Sequence, residues 1–120
     1  MLIVKQKAIE ILETYCPDNV FLQGTINPKT EYPETFITFF ITSSAFDAFY
    51  NNNENRVDWD LSIMIYSTDP DKIDTISKGV IKDFKKAGFI PQGAGNDLIS
   101  DVETHTGWAL DFIYPEYQTN

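Results

Sequence analysis

The chain has 120 residues, 42% of them hydrophobic and 14% aromatic, which fits one domain with its own apolar core and excludes a disordered polymer. Nine Lys and Arg stand against eighteen Asp and Glu, a formal charge of −9; this argues against binding nucleic-acid phosphate and either serves solubility or favours a basic protein partner. A single cysteine excludes an internal disulfide, no run approaches the roughly 20 apolar residues of a membrane span, and Met1-Leu2-Ile3-Val4 gives way at once to Lys5 and Lys7, so a soluble intracellular chain without a signal peptide is expected.

The first element is a helix over Leu2 to Tyr15. Val4, Ala8, Ile11, Leu12 and Tyr15 recur at spacings of three and four, and Cys16-Pro17-Asp18-Asn19 ends the run because the residue before a proline is pushed out of the helical region. Val20 to Ile26 reads as a short strand and Asn27-Pro28-Lys29-Thr30 as a turn or loop. Thr35 to Thr42, dense in β-branched and aromatic residues, is a strand. Ser43 to Arg56 reads as a hairpin with a mobile tip: apolar residues around Phe46 and Phe49 precede the polar run Asn51-Asn52-Asn53-Glu54-Asn55.

Val57 to Tyr66 alternates as a strand should. Val57, Trp59, Leu61, Ile63 and Ile65 point one way; Asp58, Asp60, Ser62, Met64 and Tyr66 point the other. Asp69-Pro70 then opens a second helix, with Asp69 as N-cap, Pro70 at the first position and Asp71 at the positive end of the dipole. Its apolar stripe is Ile73, Ile76, Val80, Phe84 and Ala87; Lys85 and Lys86 suit the negative end, and Gly88 supplies the left-handed closing residue. Phe89 to Gln92 is a short extended piece, Gly93-Ala94-Gly95-Asn96 a turn, and Asp97 to Glu103 a polar connection or weak strand. The last strand places Thr106, Trp108, Leu110, Phe112 and Tyr114 on one side and Gly107, Ala109, Asp111 and Ile113 on the other.

The order is α-β-β-β-α-(β)-β. It predicts a single α+β domain over residues 1–120, with a mostly antiparallel or mixed sheet and both helices packed on one face; the other face, carrying Asp58, Asp60 and Asp111, would be comparatively polar.

Catalysis needs convergent groups, and the candidates are thin. Asp58 and Asp60 share a strand face roughly 7 Å apart, without an acid–base partner in the sequence, and read as a solvated face. Asp97, Asp101, Glu103 and His105 form a loose acidic cluster in which Asp101, Glu103 and His105, if the segment is extended, would line one side and could hold a divalent cation, but their spacing matches no compact ligand motif. Cys16 meets the wrong end of a helix dipole for a thiolate, and nothing brings His105 to it. Gly93-Ala94-Gly95 lacks the helix and lysine that a phosphate loop requires. No cofactor and no catalytic or metal residue is assigned. Trp59 and Trp108 are core residues or, if one faces outward, marks of a contact surface.

The strand Val57-Asp58-Trp59-Asp60-Leu61-Ser62-Ile63-Met64-Ile65-Tyr66, the Asp69-Pro70 helix closing at Ala87-Gly88-Phe89, and the terminal Thr104-His105-Thr106-Gly107-Trp108-Ala109-Leu110-Asp111-Phe112-Ile113-Tyr114 form an order of elements that resembles the tail-completion or tail-terminator (head–tail joining) proteins of long-tailed bacteriophages and prophages. With the N-terminal helix, the resemblance covers most of the chain. It rests on the order of elements rather than on invariant side chains. It implies a virion structural protein without enzymatic activity, assembled in the bacterial host cytoplasm. Such a protein caps the tail tube as a hexameric ring of copies of itself and docks to the head-closure or connector protein. On that resemblance Asn51, Asn52, Asn53, Glu54 and Asn55 are the candidate subunit or connector contacts. A head-closure or minor capsid role stays open. So do a small-ligand or regulatory domain with a pocket between sheet and helices, and a metal-dependent hydrolase using Asp97, Asp101 and His105.

Overall fold

The computed structural model describes residues 2–22, 32–48, 55–99 and 104–118. Within them the elements are α1 (Ile3–Leu12), β1 (Val20–Leu22), β2 (Thr35–Ala48), β3 (Asn55–Ser67), α2 (Pro70–Lys86), β4 (Ile90–Pro91), β5 (Asn96–Leu98) and β6 (Thr106–Gln118). This is the expected α+β arrangement, a mixed sheet with helices packed on one face. Its strand order is β1-β2-β3-β6-β4, and β5 also pairs with β6. Only the β1–β2 pair is parallel among the described strands.

Local chemistry sets the helix ends. In α2 the Asp69 carboxylate accepts the Asp71 N–H at 3.0 Å, Pro70 occupies the first turn, and Gly88 takes φ 96° after the last turn. The α1 helix closes earlier than its apolar stripe suggests. The Tyr15 N–H bonds back to the Leu12 carbonyl in a tightened turn, and the Thr14 hydroxyl donates to the Ile11 carbonyl at 2.6 Å, competing with continued helix. Asp18 then sits at φ 65°, its N–H bonded to the Glu13 carboxylate at 3.0 Å. Tyr15 therefore belongs to the turn, although it still packs on the core.

The core lies between helices and sheet. Val4, Ala8 and Leu12 of α1 and Ile73, Ile76, Val80 and Phe84 of α2 meet Ile37 and Phe39 of β2, Leu61, Ile63 and Ile65 of β3, and Leu110 and Phe112 of β6. Phe84 is its centre, with ring centroids 4.6 Å from Phe89 and 4.7 Å from Phe112. Each of these side chains other than Ala8 contributes about 1.5–3 kcal/mol on burial.

The other sheet face differs from expectation at one end. Phe36, Thr38, Met64 and Ala109 are buried there, and Tyr32, Phe36 and Tyr66 form a stack with centroid separations of 5.3 and 4.9 Å. His105 closes this cluster, its Nε2–H donating to the Pro33 carbonyl at 2.8 Å. Asp58, Asp60 and Asp111 do lie on this face, but toward the other end and its margin.

Candidate functional site

The sheet outruns its helices. Ile41, Trp59 and Tyr114 are the last side chains on that end packed against the core. Beyond them β2, β3 and β6 continue together to Ala48, Asn55 and Gln118, giving a molecule of 54 × 27 × 24 Å with a three-stranded arm. The expected interface residues Asn51, Asn52, Asn53 and Glu54 lie outside the described residues; Asn55 begins β3, paired with Ala48 and Gln118.

A bulge at Thr42 shapes this arm. Ile41 pairs with Leu61 but Ser43 pairs with Asp60, and the Thr42 hydroxyl bonds the Asp60 carbonyl at 3.2 Å. The extra residue exchanges the faces of everything after it. Phe46 consequently stands opposite Val57 on the helix-side face, past the end of the helical cover, and is 81% exposed whereas Val57 is 4% exposed.

The two margins of the arm are unlike. On β6, Pro115 lacks an N–H and Glu116 adds charge, devices that block strand addition. Glu116 also accepts the Trp59 indole N–H at 3.2 Å. On β2, the segment from Phe40 to Phe46 contains no charge and no proline, and no described strand pairs with its outer edge. Asp58 and Asp60 are engaged within the arm, the first by Arg56 (Nε–Oδ1 2.9 Å) and the second by the Ser43 hydroxyl. Their role there is structural: Asp60 ties β3 to β2, and the Arg56–Asp58 pair neutralises charge along β3.

A second surface lies between α2 and β6. It is a groove of about 460 Å³ walled by Pro70, Ile73, Ile81 and Trp108, with Asp74, Lys78 and Asp97 at its rim. The Trp108 indole N–H donates to the Ala94 carbonyl at 3.1 Å. A Cβ on Gly95, which has φ 105°, would stand 2.1 Å from the same nitrogen. The Gly93-Ala94-Gly95 turn is thus the clamp that fixes the indole; glycines bracketing an alanine shortly before a tryptophan strand were the available signal.

The remaining candidates do not converge. Asp97 pairs across the sheet with Trp108 on the helix side, whereas His105 packs on Phe36 on the opposite side. Asp101 and Glu103 lie outside the described residues, among which no group of His, Cys, Asp and Glu is arranged to hold a metal. Cys16 is buried in the core between helices and sheet, with its thiol pushed up by burial and then by Glu13, away from His105. No described helix is long and apolar enough to cross a membrane. Compared with known families and with curated proteins, the sequence matches no family model and no curated protein.

Proposed function

We propose that this protein is a phage or prophage virion subunit of the head–tail junction, one that caps the tail tube and joins it to the head connector as a member of a ring. The reading starts from the resemblance in element order, and the observation that carries it is the arm. An uncharged margin on β2 that no described strand covers, with the exposed Phe46 beside it, set against a margin guarded by Pro115 and Glu116, suits addition of a partner's strand on one side only. Contacts between unlike surfaces run head to tail and make a ring when the rotation closes. An acidic subunit also gives such a ring a lumen that does not hold DNA.

The test is to mix the purified protein with tail tubes and image the tube ends. Capping rings that stop tube growth are expected. Deletion of Asn51 to Asn55 is expected to leave the fold intact and abolish joining to heads. Tube ends that stay bare and keep growing overturn the proposal; attachment by the deletion variant overturns only the assignment of the tip.

A further inference from the structure

The groove between α2 and β6 has the makings of a recognition site separate from the arm. Asp97 and Trp108 are directly opposed partners in the β5–β6 pair, so their side chains stand next to each other, and both line the groove. The indole is immobilised by its bond to the Ala94 carbonyl and by the close approach of Gly95, so its orientation does not have to be acquired on binding. Ile73, Ile81 and Pro70 supply an apolar floor and wall.

Charge decides what fits. Of the three charged rim residues, Lys78 is bound to Asp74 at 3.1 Å, one turn along α2, while Asp97 has no ion pair among the described residues. The rim is thus left with one negative charge beside an aromatic ring, on a chain of formal charge −9. An apolar trough ending in an indole and a free carboxylate matches a side chain with a hydrocarbon stem and a cationic head. A planar guanidinium matches it better than an ammonium, since it can stack on the indole while its edge donors reach the carboxylate. We infer that the groove between α2 and β6 takes an arginine side chain from a basic segment of a partner protein, with the head between Trp108 and Asp97 and the stem against Ile73 and Ile81. The overall negative field of the chain would steer such a segment toward it.

The probes are the capped tripeptide Gly-Arg-Gly and the same peptide with citrulline, whose urea is a neutral isostere of the guanidinium. Each is titrated into the protein while the two tryptophan indole resonances are followed by NMR. The expected result is a saturable shift of the Trp108 resonance with the arginine peptide and binding about five- to tenfold weaker with citrulline. Asp97→Asn should bring the arginine peptide down to the citrulline level. Lys78→Gln, which frees the Asp74 carboxylate, should tighten binding. Equal binding of the two peptides, indifference to Asp97→Asn, or no saturable shift up to about 50 mM each overturns the assignment. Both substitutions lie at exposed positions outside the core, and neither touches the arm, so failure here leaves the head–tail reading standing.

Discussion

Tyr15 lies across Gly79. A methyl group on this glycine would stand 2.6 Å from the phenol oxygen and 2.7 Å from the ring, and the hydroxyl donates to the Asp83 carboxylate one turn further along α2. The helix thus accepts a poor helix former at its middle so that the turn after α1 can pack onto it. Gly79→Ala gains about 1 kcal/mol of helix propensity but must expel the ring. We expect a net loss of about 1 kcal/mol in urea unfolding. In a Tyr15→Ala background the same substitution should stabilise, because the obstacle is gone and the propensity gain remains. A destabilising Gly79→Ala in both backgrounds would show that the ring is not what the glycine serves.

The same phenol gives an alkaline signature. Burial in the first place, then the hydrogen bond and charge of Asp83, push Tyr15 up to about 12 from 10.0. A group whose pKa is raised by folding contributes its stability in full below the unfolded value and loses it as pH rises through the folded one. The contribution is therefore complete below pH 10 and fades between pH 10 and 12. Tyr15→Phe should lose less stability than the parent across that window, while the other Tyr and Lys titrate in both proteins and cancel. Parallel pH profiles for the two proteins would rule this out.

Ser67 joins β3 to the start of α2. It is fully buried; its hydroxyl accepts the Asp69 N–H at 3.0 Å and lies 2.9 Å from the Thr35 hydroxyl. Ser67→Ala strands both partners and should cost about 2 kcal/mol, more than the roughly 1 kcal/mol expected for removing the cap with Asp69→Ala. The ordering, read from urea midpoints, is the test. An Asp69→Ala loss exceeding that of Ser67→Ala would reverse it.

Most of this fold was legible because local and global preferences agree. Asp69-Pro70 and Gly88 mark α2 by chemistry that acts within one turn, and Leu61, Ile63 and Ile65 alternate without interruption. What stayed hidden depends on contacts distant in sequence. The bulge at Thr42 leaves no mark in a run of Thr and Ser, yet it decides which face Phe46 takes. The pairing of Asp97 with Trp108 follows from the register of β5, a strand whose residues have little strand propensity of their own. The polar face expected from Asp58, Asp60 and Asp111 was a reading of one end extended to the whole sheet; Phe36 and Met64 occupy the other.

Thr38 lies in that apolar half. Its hydroxyl oxygen is buried without a hydrogen-bond partner among the described residues, opposite Met64 on β3 and Phe21 on β1. Valine has the same shape without the polar atom. Thr38→Val should stabilise the protein by about 1 kcal/mol, against the usual direction of core substitutions. A lower melting temperature for the variant would mean that the hydroxyl has a bonding role.

Phe46 separates folding from assembly. With 81% of its surface exposed, it adds little to the monomer, and its strand partner Val57 is already buried. Phe46→Lys places a charge on the part of β2 that no described strand flanks, and a charge at a strand margin is the device by which sheets refuse a further strand. The variant should therefore unfold within about 0.5 kcal/mol of the parent. If the β2 margin receives a neighbouring subunit, the same variant should fail to form rings on tail tubes. A lysine on the guarded side, at Tyr117, provides the control: it is 61% exposed, lies on β6 beside Glu116, and should leave ring formation intact. Rings that persist with Phe46→Lys and vanish with Tyr117→Lys would transfer the contact to the β6 margin, where Pro115 would have to be accommodated by side-chain packing rather than by strand addition.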